Sequence, residues 1–280
     1  MIRKLLLSTM VVAGCWFAAS AANAQGLQVP KTQPAGQELR ISGVNGTAYV
    51  FGPATAFKAK ANGELVITSD QLRAAGMYTV VSDGNSGTFF VVADKASNVA
   101  FLARPSRVAT AKTGVISGTG FVLDKFNNLV MQPTPVKFSL AVPGTPAETR
   151  SETSKNGVAF VRMDSGKKSG AAQFVAAVDD TEVRRVVTQT AADPCNIRFK
   201  AEPSKDGIHV VTDPIKDCSG NAVPDGTIVT FTETDQKGRS TVDARIKKGF
   251  AEAELPNEGS ANLSVASGVV IGNEIHWGGK

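Results

Sequence analysis

Few side chains in this sequence are of the types that perform acid–base or nucleophilic chemistry. Its two histidines, His209 and His276, stand in segments that alternate as strands, where a histidine is more often a surface residue than a base. No G-x-S-x-G, H-E-x-x-H or phosphate-binding glycine motif occurs. Asp179, Asp180 and Asp213 carry the oxygen ligands that calcium prefers, but no further ligands can be identified. We therefore predict that the protein is not an enzyme and holds no cofactor or metal ion.

The other reactive side chains are three cysteines, Cys15, Cys195 and Cys218. A hairpin that turns at residues 204–207 would place Cys195 and Cys218 nearly opposite each other at its open end. Two cysteines that remain in an exported chain are expected to pair. A metal or redox site would need more ligands or a C-x-x-C spacing, and neither is present. We predict a structural disulfide between Cys195 and Cys218.

The first residues have the features of a secretory signal peptide. Arg3 and Lys4 precede an apolar run over residues 5–19, and Ala22-Asn23-Ala24 has the small residues of a cleavage site. We predict a signal peptide over residues 1–24 that is removed before Gln25. The protein is then secreted across the inner membrane, to the periplasm or the cell surface.

A second interpretation of the leader concerns Cys15. Val12-Ala13-Gly14-Cys15 fits the lipobox pattern, in which the cysteine becomes a lipidated N-terminus. Lipidation of Cys15 would anchor the chain to a membrane. No later stretch approaches the ~20 apolar residues of a membrane span, so a lipid anchor would be the only contact with a bilayer.

The charge balance argues against nucleic-acid binding. The sequence has 30 basic and 25 acidic residues, and loss of Arg3 and Lys4 with the leader reduces the excess to three. Nucleic acid calls for a concentrated basic face. The paired cations lie beside predicted turns and are expected to be solvated there; they are Lys167-Lys168, Arg184-Arg185 and Lys247-Lys248.

After the leader, short segments alternate apolar and polar residues between Gly, Pro, Asn and Asp clusters, which is typical of all-β sandwiches. In one such segment Val229 and Phe231 point to one side of a strand, and Thr230 and Thr232 to the other. Further side chains predicted to point inward by the same period are Val136, Phe138, Leu140, Ala159, Val161, Met163, Ala172, Phe174, Ala176, Ala251, Ala253, Leu255, Ala261, Leu263 and Val265.

Part of the chain repeats itself. Ala103-Arg104-Pro105-Ser106-Arg107 recurs as Ala201-Glu202-Pro203-Ser204-Lys205, and Phe101 recurs as Phe199. The next markers follow in the same order: Asp124 and Asn128 recur as Asp217 and Asn221, Val136 and Phe138 as Val229 and Phe231, Gly157-Val158-Ala159 as Gly249-Phe250-Ala251, and Gly170-Ala171-Ala172 as Gly259-Ser260-Ala261. The spacing between markers drifts along the repeat, as expected when loops differ in length and strands do not.

The repeat carries a resemblance to a known family. Asp217, Gly220-Asn221, Pro224, Gly226 and Val229-Thr230-Phe231 stand in an order that resembles the central motif of bacterial immunoglobulin-like domains of the invasin and intimin type. The resemblance covers residues 98–280 and implies tandem immunoglobulin-like β-sandwiches that serve as spacers or binding modules at the cell envelope. Before the repeat, the step from Asp70 to Tyr78 resembles the tyrosine corner of immunoglobulin sandwiches.

The chain is accordingly divided into five parts. Residues 1–24 are the signal peptide, and 25–37, rich in Pro, Gln and Gly, form a tether. Residues 38–97 form a small immunoglobulin-like sandwich, 98–192 a second domain, and 193–280 a third with the disulfide. Because the links between the domains are short, we expect an end-to-end arrangement.

These observations favour a non-catalytic, exported envelope protein whose modules act as adhesin-like spacers or binding units for a protein or another cell-surface macromolecule. One alternative is a periplasmic accessory or assembly factor of an export or surface system. Another is a carbohydrate-binding protein, but the mature chain has only Trp277, Tyr49 and Tyr78 besides its phenylalanines. Most phenylalanines fall on predicted inward positions, so we expect no broad aromatic platform.

The final segment is the candidate for contact through a strand edge. Val269, Ile271, Ile275 and Trp277 lie in an apolar terminal run, and an exposed edge strand can accept a strand from another chain. The simpler interpretation is that this run is the last strand of its own sandwich.

Overall fold

The computed structural model describes residues 27–142, 144–257 and 259–278, so the predicted signal peptide and Cys15 lie outside the described residues. These residues form twenty strands and a single 3₁₀ turn, which confirms the all-β prediction. Three hydrophobic cores lie one after another along the chain, from Ala35 to Val91, from Val99 to Val187 and from Ile197 to Val265. We call the parts that hold them the first, second and third modules. Nowhere in the described part does a helix reach the length and apolar composition of a membrane span.

The first module is one five-stranded sheet in the order β1-β5-β4-β2-β3. Tyr78 and Phe89 stack in its core, with ring centroids 5.4 Å apart. The hydroxyl of Tyr78 donates to the carbonyl of Ala74 over 3.1 Å, as the tyrosine-corner interpretation requires. The strands are β1 (Thr32–Pro34), β2 (Leu39–Gly52), β3 (Thr55–Ile67), β4 (Gly76–Ser82) and β5 (Asn85–Val92), and the 3₁₀ turn is Ser69–Leu72.

Two sequence expectations for this module are wrong. The predicted tether contains β1, which pairs in parallel with the free edge of β5, and Ala35 behind it is fully buried. The predicted sandwich of two sheets is a single sheet. A bulge after Ser42 divides β2 into two parts. The part before the bulge forms hydrogen bonds only with β3, and the part after it also forms hydrogen bonds with β4. Ile41 and Val50, one from each part, enter the same core, so the long hairpin closes over its own sheet.

The second module packs a five-stranded sheet, β10-β9-β12-β13-β7, against a three-stranded sheet, β11-β8-β6. Phe101, Phe138 and Phe174 meet between the sheets. Gly118 is required there, because a Cβ atom would stand 2.6 Å from the ring of Phe174. The strands are β6 (Asn98–Arg104), β7 (Arg107–Ala109), β8 (Ile116–Leu123), β9 (Pro135–Ala141), β10 (Glu148–Thr153), β11 (Val158–Met163), β12 (Gly170–Val178) and β13 (Thr181–Thr190).

The third module repeats this plan with sheets β14-β15-β18 and β17-β16-β19-β20. Phe138 and Phe231 are both fully buried at equivalent places, as the repeat predicts. The other inward predictions are confirmed as buried or, for Ala253, as partly buried against the core. The strands are β14 (Phe199–Pro203), β15 (Ile208–Thr212), β16 (Ile228–Thr234), β17 (Arg239–Arg245), β18 (Glu252–Leu255), β19 (Ala261–Ser267) and β20 (Val270–Trp277).

The predicted disulfide joins Cys195 and Cys218, with 5.0 Å between the Cα atoms. The hairpin register differs slightly from expectation, since Phe199 pairs with Thr212. Cys195 therefore lies opposite Lys216, whose carbonyl accepts its N–H over 2.8 Å. The disulfide therefore joins two residues that are diagonal neighbours on the paired chains. It connects the start of the third module to the loop before β16.

Candidate binding face and module junctions

An aspartate of the repeat, Asp124, organises the junction between the first and second modules. Its carboxylate is fully buried and accepts hydrogen bonds from the backbone N–H groups of Phe126 and Asn128, each over 2.8 Å. It also accepts the N–H of Asp94, in the link between the modules, over 2.9 Å. One side chain thus holds the shape of its own loop and the position of the link.

Asn128 extends this arrangement into the first module. Its amide nitrogen donates to the carbonyl of Arg73 over 2.7 Å, and its amide oxygen accepts the N–H of Ala75 over 2.8 Å. The amide nitrogen also donates to Asp124 over 2.9 Å, which sets the orientation of the amide. We call this two-bond contact to the preceding module the asparagine clamp.

The same clamp joins the second and third modules. Asn221 donates to the carbonyl of Lys167 over 2.7 Å and accepts the N–H of Ser169 over 2.9 Å. The carboxylate of Asp217 accepts a hydrogen bond from the side-chain amide of Asn221 over 2.8 Å, which sets the orientation of the amide. The same carboxylate accepts the N–H of Ala192, in the link between the modules, over 3.0 Å. The repeat therefore copies a junction as well as a fold, although in the sequence these residues indicate only the repeat and its family motif.

The buried carboxylates stay ionised because of their donors. Desolvation alone would raise the pKa of Asp217, but hydrogen bonds from Asn221, Thr110 and the backbone outweigh it and lower the pKa from 3.8 to about 2. The Thr110 hydroxyl, from the second module, donates over 2.7 Å. The pKa of Asp124 is lowered in the same way, by Asn128 and three backbone N–H groups against the cost of burial.

The two junctions differ beside the clamp. At the first junction, the ring of Phe126 packs over Gly36 and against the core of the first module. A Cβ atom at Gly36 would stand 2.2 Å from this ring. The position that matches Phe126 in the repeat is Ser219, next to the disulfide of Cys218. Packing of the Phe126 ring thus supports the first junction, and the disulfide of Cys218 supports the loop at the second junction.

Removing the clamps should loosen the junctions and leave the modules folded. Asn128→Ala and Asn221→Ala each delete two hydrogen bonds between modules, worth about 1 kcal/mol apiece. We expect small-angle scattering to show a broader distribution of interatomic distances for the double variant, with unchanged circular dichroism. Asn262→Ala, on an exposed position of β19, is the matched control and should leave the distribution unchanged. A double variant with the wild-type distribution would contradict a role for the clamps in module orientation.

The outer face of the first module carries a group of large exposed apolar side chains. We call Tyr49, Phe51, Met77 and Phe90 the aromatic face; they are 47%, 51%, 57% and 52% exposed. Met77 pairs directly with Phe90, and Phe51 lies one row away, opposite Thr79. Since β5 and β2 are two strand spacings apart, Phe90 and Phe51 are separated by about 10 Å across the sheet.

The charged neighbours of the aromatic face are mainly basic, although the carboxylate of Asp83 lies beside Gly46. Lys58 pairs directly with Tyr49, and Lys60 with Thr47 in the next row. No Asp or Glu is paired into the rows of β2, β3, β4 and β5 that hold the aromatic face. The surface is apolar at its centre, and Lys58 and Lys60 make its edge along β3 positive.

The expectation that phenylalanines would point inward is wrong for this face. Val50 and Phe89 take the buried positions of their strands, so Phe51 and Phe90 must point outward. In a strand whose residues are apolar on both faces, the period of two does not tell which face is buried. Phe121, Phe160 and Phe250 are also exposed, in the other modules.

The residues of the candidate edge contact separate into two pairs. Val269 and Ile271 are 91% and 74% exposed at the tip of the β19–β20 hairpin. Ile275 and Trp277 pack against the core of their own module. β20 is the last strand of its sheet, and Asn273 in it exchanges side-chain hydrogen bonds with the backbone of Phe199. Contact with another chain through this strand stays a prediction, centred on Val269 and Ile271.

The candidate catalytic and metal-binding residues are not brought together. His209 lies in β15 and His276 in β20, on different sheets of the third module. Within the described ranges, no three His, Cys, Asp or Glu side chains are grouped as a metal ion would require.

The solved structure of a bacterial adhesin is similar to this chain. The adhesin FdeC of Escherichia coli matches with a TM-score of 0.59 and 17% identity, over 86% of this chain and 91% of its own. Invasin, a bacterial integrin-binding protein, has a TM-score of 0.46 and 13% identity over 87% and 56% of the two chains. InvD of Yersinia pseudotuberculosis has a TM-score of 0.44 and 12% identity over 86% of this chain and 85% of its own. No protein-family model and no curated protein matches the sequence.

The likeness to FdeC confirms the sequence resemblance at the level of fold. It shows the immunoglobulin-like β-sandwich fold, which the second and third modules form with two sheets each. Identity of 17% carries the fold and not the binding activity.

Proposed function

We propose that the protein is an exported, non-catalytic envelope protein of adhesin type, in which the junctions orient the modules and the aromatic face binds another protein. The signal-peptide pattern supports export, and the fold shared with an adhesin supports a spacer or binding role. The aromatic face is the observation that carries the proposal. Hydrolysis of an ester, peptide or glycan, abolished by one substitution, would contradict the non-catalytic part.

The composition of the aromatic face favours a protein as the partner. Phe, Tyr and Met are enriched at the centres of protein interfaces, and clusters of exposed apolar side chains mark such sites. A sugar would need several hydrogen-bonding groups, whereas the four side chains offer a single hydroxyl, on Tyr49. We therefore place a protein above a glycan as the ligand.

The lysines beside the aromatic face favour a partner with negative charge. Lys58 and Lys60 are exposed and take part in none of the ion pairs among the described residues. A second copy of the same face would bring lysines against lysines, which is unfavourable. The complementary surface has an apolar centre surrounded by Asp and Glu.

The Met77 methyl group permits a direct test by NMR. The probe is a 12-residue peptide of alternating Glu and Leu, which offers an apolar face with acidic flanks. We expect it to shift the Met77 methyl resonance of the purified protein, with an affinity that falls as salt is raised. Phe51→Ser combined with Phe90→Ser should weaken binding at least tenfold, and Lys58→Glu combined with Lys60→Glu should do the same.

The control variant is Phe250→Ser, which removes a phenylalanine that is 43% exposed in the third module and should leave the peptide affinity unchanged. Three further probes are a Lys–Leu peptide, a neutral β-glucan oligosaccharide and vesicles of phosphatidylglycerol with phosphatidylcholine. A shift of Met77 by any of them equal to that of the acidic peptide, or none by the acidic peptide, would overturn the assignment.

A further inference from the structure

The repeat gives the second and third modules an equivalent outer sheet face, and these two faces carry opposite charges. In the second module, Arg104 and Arg162 lie on either side of Ser117, in strand order β6-β8-β11. In the third, Glu202 and Glu254 lie on either side of His209, in strand order β14-β15-β18. The repeat register places Glu202 at the position of Arg104, and Glu254 at that of Arg162.

The face of the second module combines its two arginines with apolar side chains. In the row next to the arginines, Leu102 and Phe160 flank Thr119 and are 44% and 52% exposed. Phe121, 37% exposed, lies in the following row. We call this surface the basic face.

The face of the third module is predominantly acidic in the rows of Glu202 and Glu252, whereas Arg245, Lys247 and Lys248 line a cavity beside Val211 and Phe250. The row next to Glu202 and Glu254 holds Lys200, Val211 and Glu252, so three carboxylates stand against one ammonium group. Val211 is partly exposed at the centre, and Phe250, 43% exposed, precedes β18. We call this surface the acidic face.

We propose that the basic face of one copy of the protein binds the acidic face of another copy. Each charged pair spans two strand spacings, about 10 Å, so two arginines can meet two glutamates at matched separations. Arg104, Arg162 and Glu202 are exposed and take part in none of the ion pairs among the described residues. The apolar residues of the basic face would meet Val211 and Phe250. Contacts between two basic or two acidic faces are excluded by repulsion, so the copies associate in a defined pairing.

The size of the faces sets the strength of the contact. Three strands and three rows cover roughly 300 Å² on each partner, well under the ~800 Å² of a stable interface. We therefore expect a weak association, with a dissociation constant of about 100 μM or weaker. Such a contact becomes effective where many copies are held side by side, because the second binding event is then intramolecular.

Sedimentation equilibrium of the purified protein over about 10 to 500 μM tests the proposal. The weight-average mass should rise above that of the monomer in about 50 mM salt and return to it in about 0.5 M salt. Arg104→Glu with Arg162→Glu should weaken association at least tenfold, as should Glu202→Arg with Glu254→Arg. A 1:1 mixture of the two double variants should associate again, because each carries the charges that the other lacks.

The mixture also guards against misfolding, since only folded faces can restore the contact. Arg184→Glu with Arg185→Glu changes the net charge equally on β13, in the opposite sheet, and should associate as the wild type does. Three results would overturn the proposal: a wild-type protein that stays monomeric, a face variant that associates normally, or a mixture that stays monomeric. None of these results bears on the aromatic face of the first module, which none of these substitutions touches.

Discussion

Asp217→Ala is expected to lower the free energy of unfolding of the third module by about 3 to 5 kcal/mol. The carboxylate accepts hydrogen bonds from the hydroxyl of Thr110, the backbone N–H groups of Ala192 and Ser219, and both the backbone and the side chain of Asn221. Asp217 itself is only 4% exposed, so these donors would lose a charged acceptor where water enters poorly. Bonds to a charged group contribute about 1.5 to 3 kcal/mol, and an unpaired buried donor costs about 1 to 3 kcal/mol.

Urea unfolding monitored by circular dichroism measures the Asp217→Ala effect. Asp213→Ala is the matched control, because Asp213 is an exposed residue four positions earlier in the same connection, and we expect a change within about 0.5 kcal/mol. Equal effects of the two substitutions would contradict the structural role of Asp217.

The same carboxylate predicts a dependence of stability on pH. Its pKa is lowered in the folded protein to about 2, from 3.8, so its stabilisation is fully present above about pH 4. It is lost as the pH falls from about 4 to about 2, and amounts to about 2 kcal/mol. Over this range Asp217→Ala should lose less stability than the wild type does. Parallel pH profiles of the two proteins would show that Asp217 is not the group responsible.

Phe138→Ala should lower the free energy of unfolding of the second module by about 3 to 5 kcal/mol, and Phe231→Ala should lower that of the third module by the same amount. Both rings are fully buried and meet the aromatic neighbours Phe101 and Phe199, so truncation removes apolar burial and leaves a cavity. Because the two modules have separate cores, Phe138→Ala should shift the unfolding transition of the second module and Phe231→Ala that of the third. Differential scanning calorimetry resolves such transitions.

The controls for the core prediction are Phe160→Ala and Phe250→Ala. These rings are 52% and 43% exposed in the same two modules, and we expect changes within about 1 kcal/mol. If substitution of the exposed phenylalanines lowered the free energy of unfolding as much as substitution of the buried ones, the equivalence of Phe138 and Phe231 as core residues would be wrong.

Alternation within strands was sufficient to predict much of the core. From Val229 to Thr232, two apolar residues alternate with two threonines, which leaves a single way to orient this part of the strand. The same criterion failed at Phe51 and Phe90, where both faces of the strand are apolar. The choice of buried face there depends on how β2 and β3 close over the sheet, which is a tertiary event.

The asparagine clamps show a second limit on what the sequence can predict, namely contacts between modules. Asp124 and Asn128 are of the types that stabilise turns in many loops, so their residue types alone indicate local structure. The partners of Asn128 in the first module are backbone atoms of Arg73 and Ala75, more than fifty residues away, and backbone atoms leave no sequence signature. The one available signal was that the same pair recurs as Asp217 and Asn221, with the same four-residue separation.

The amino-acid sequence by itself determined the fold class, the repeat and the pairing of Cys195 with Cys218, because these depend on residue order, on the period of a strand and on a local hairpin. Only the tertiary structure decided which side chains form the aromatic face, the basic face and the acidic face. Each of these surfaces brings together residues from several strands, and the register between strands sets their neighbours. Interactions along the chain can be predicted from the sequence alone, whereas contacts across a sheet or between modules depend on packing.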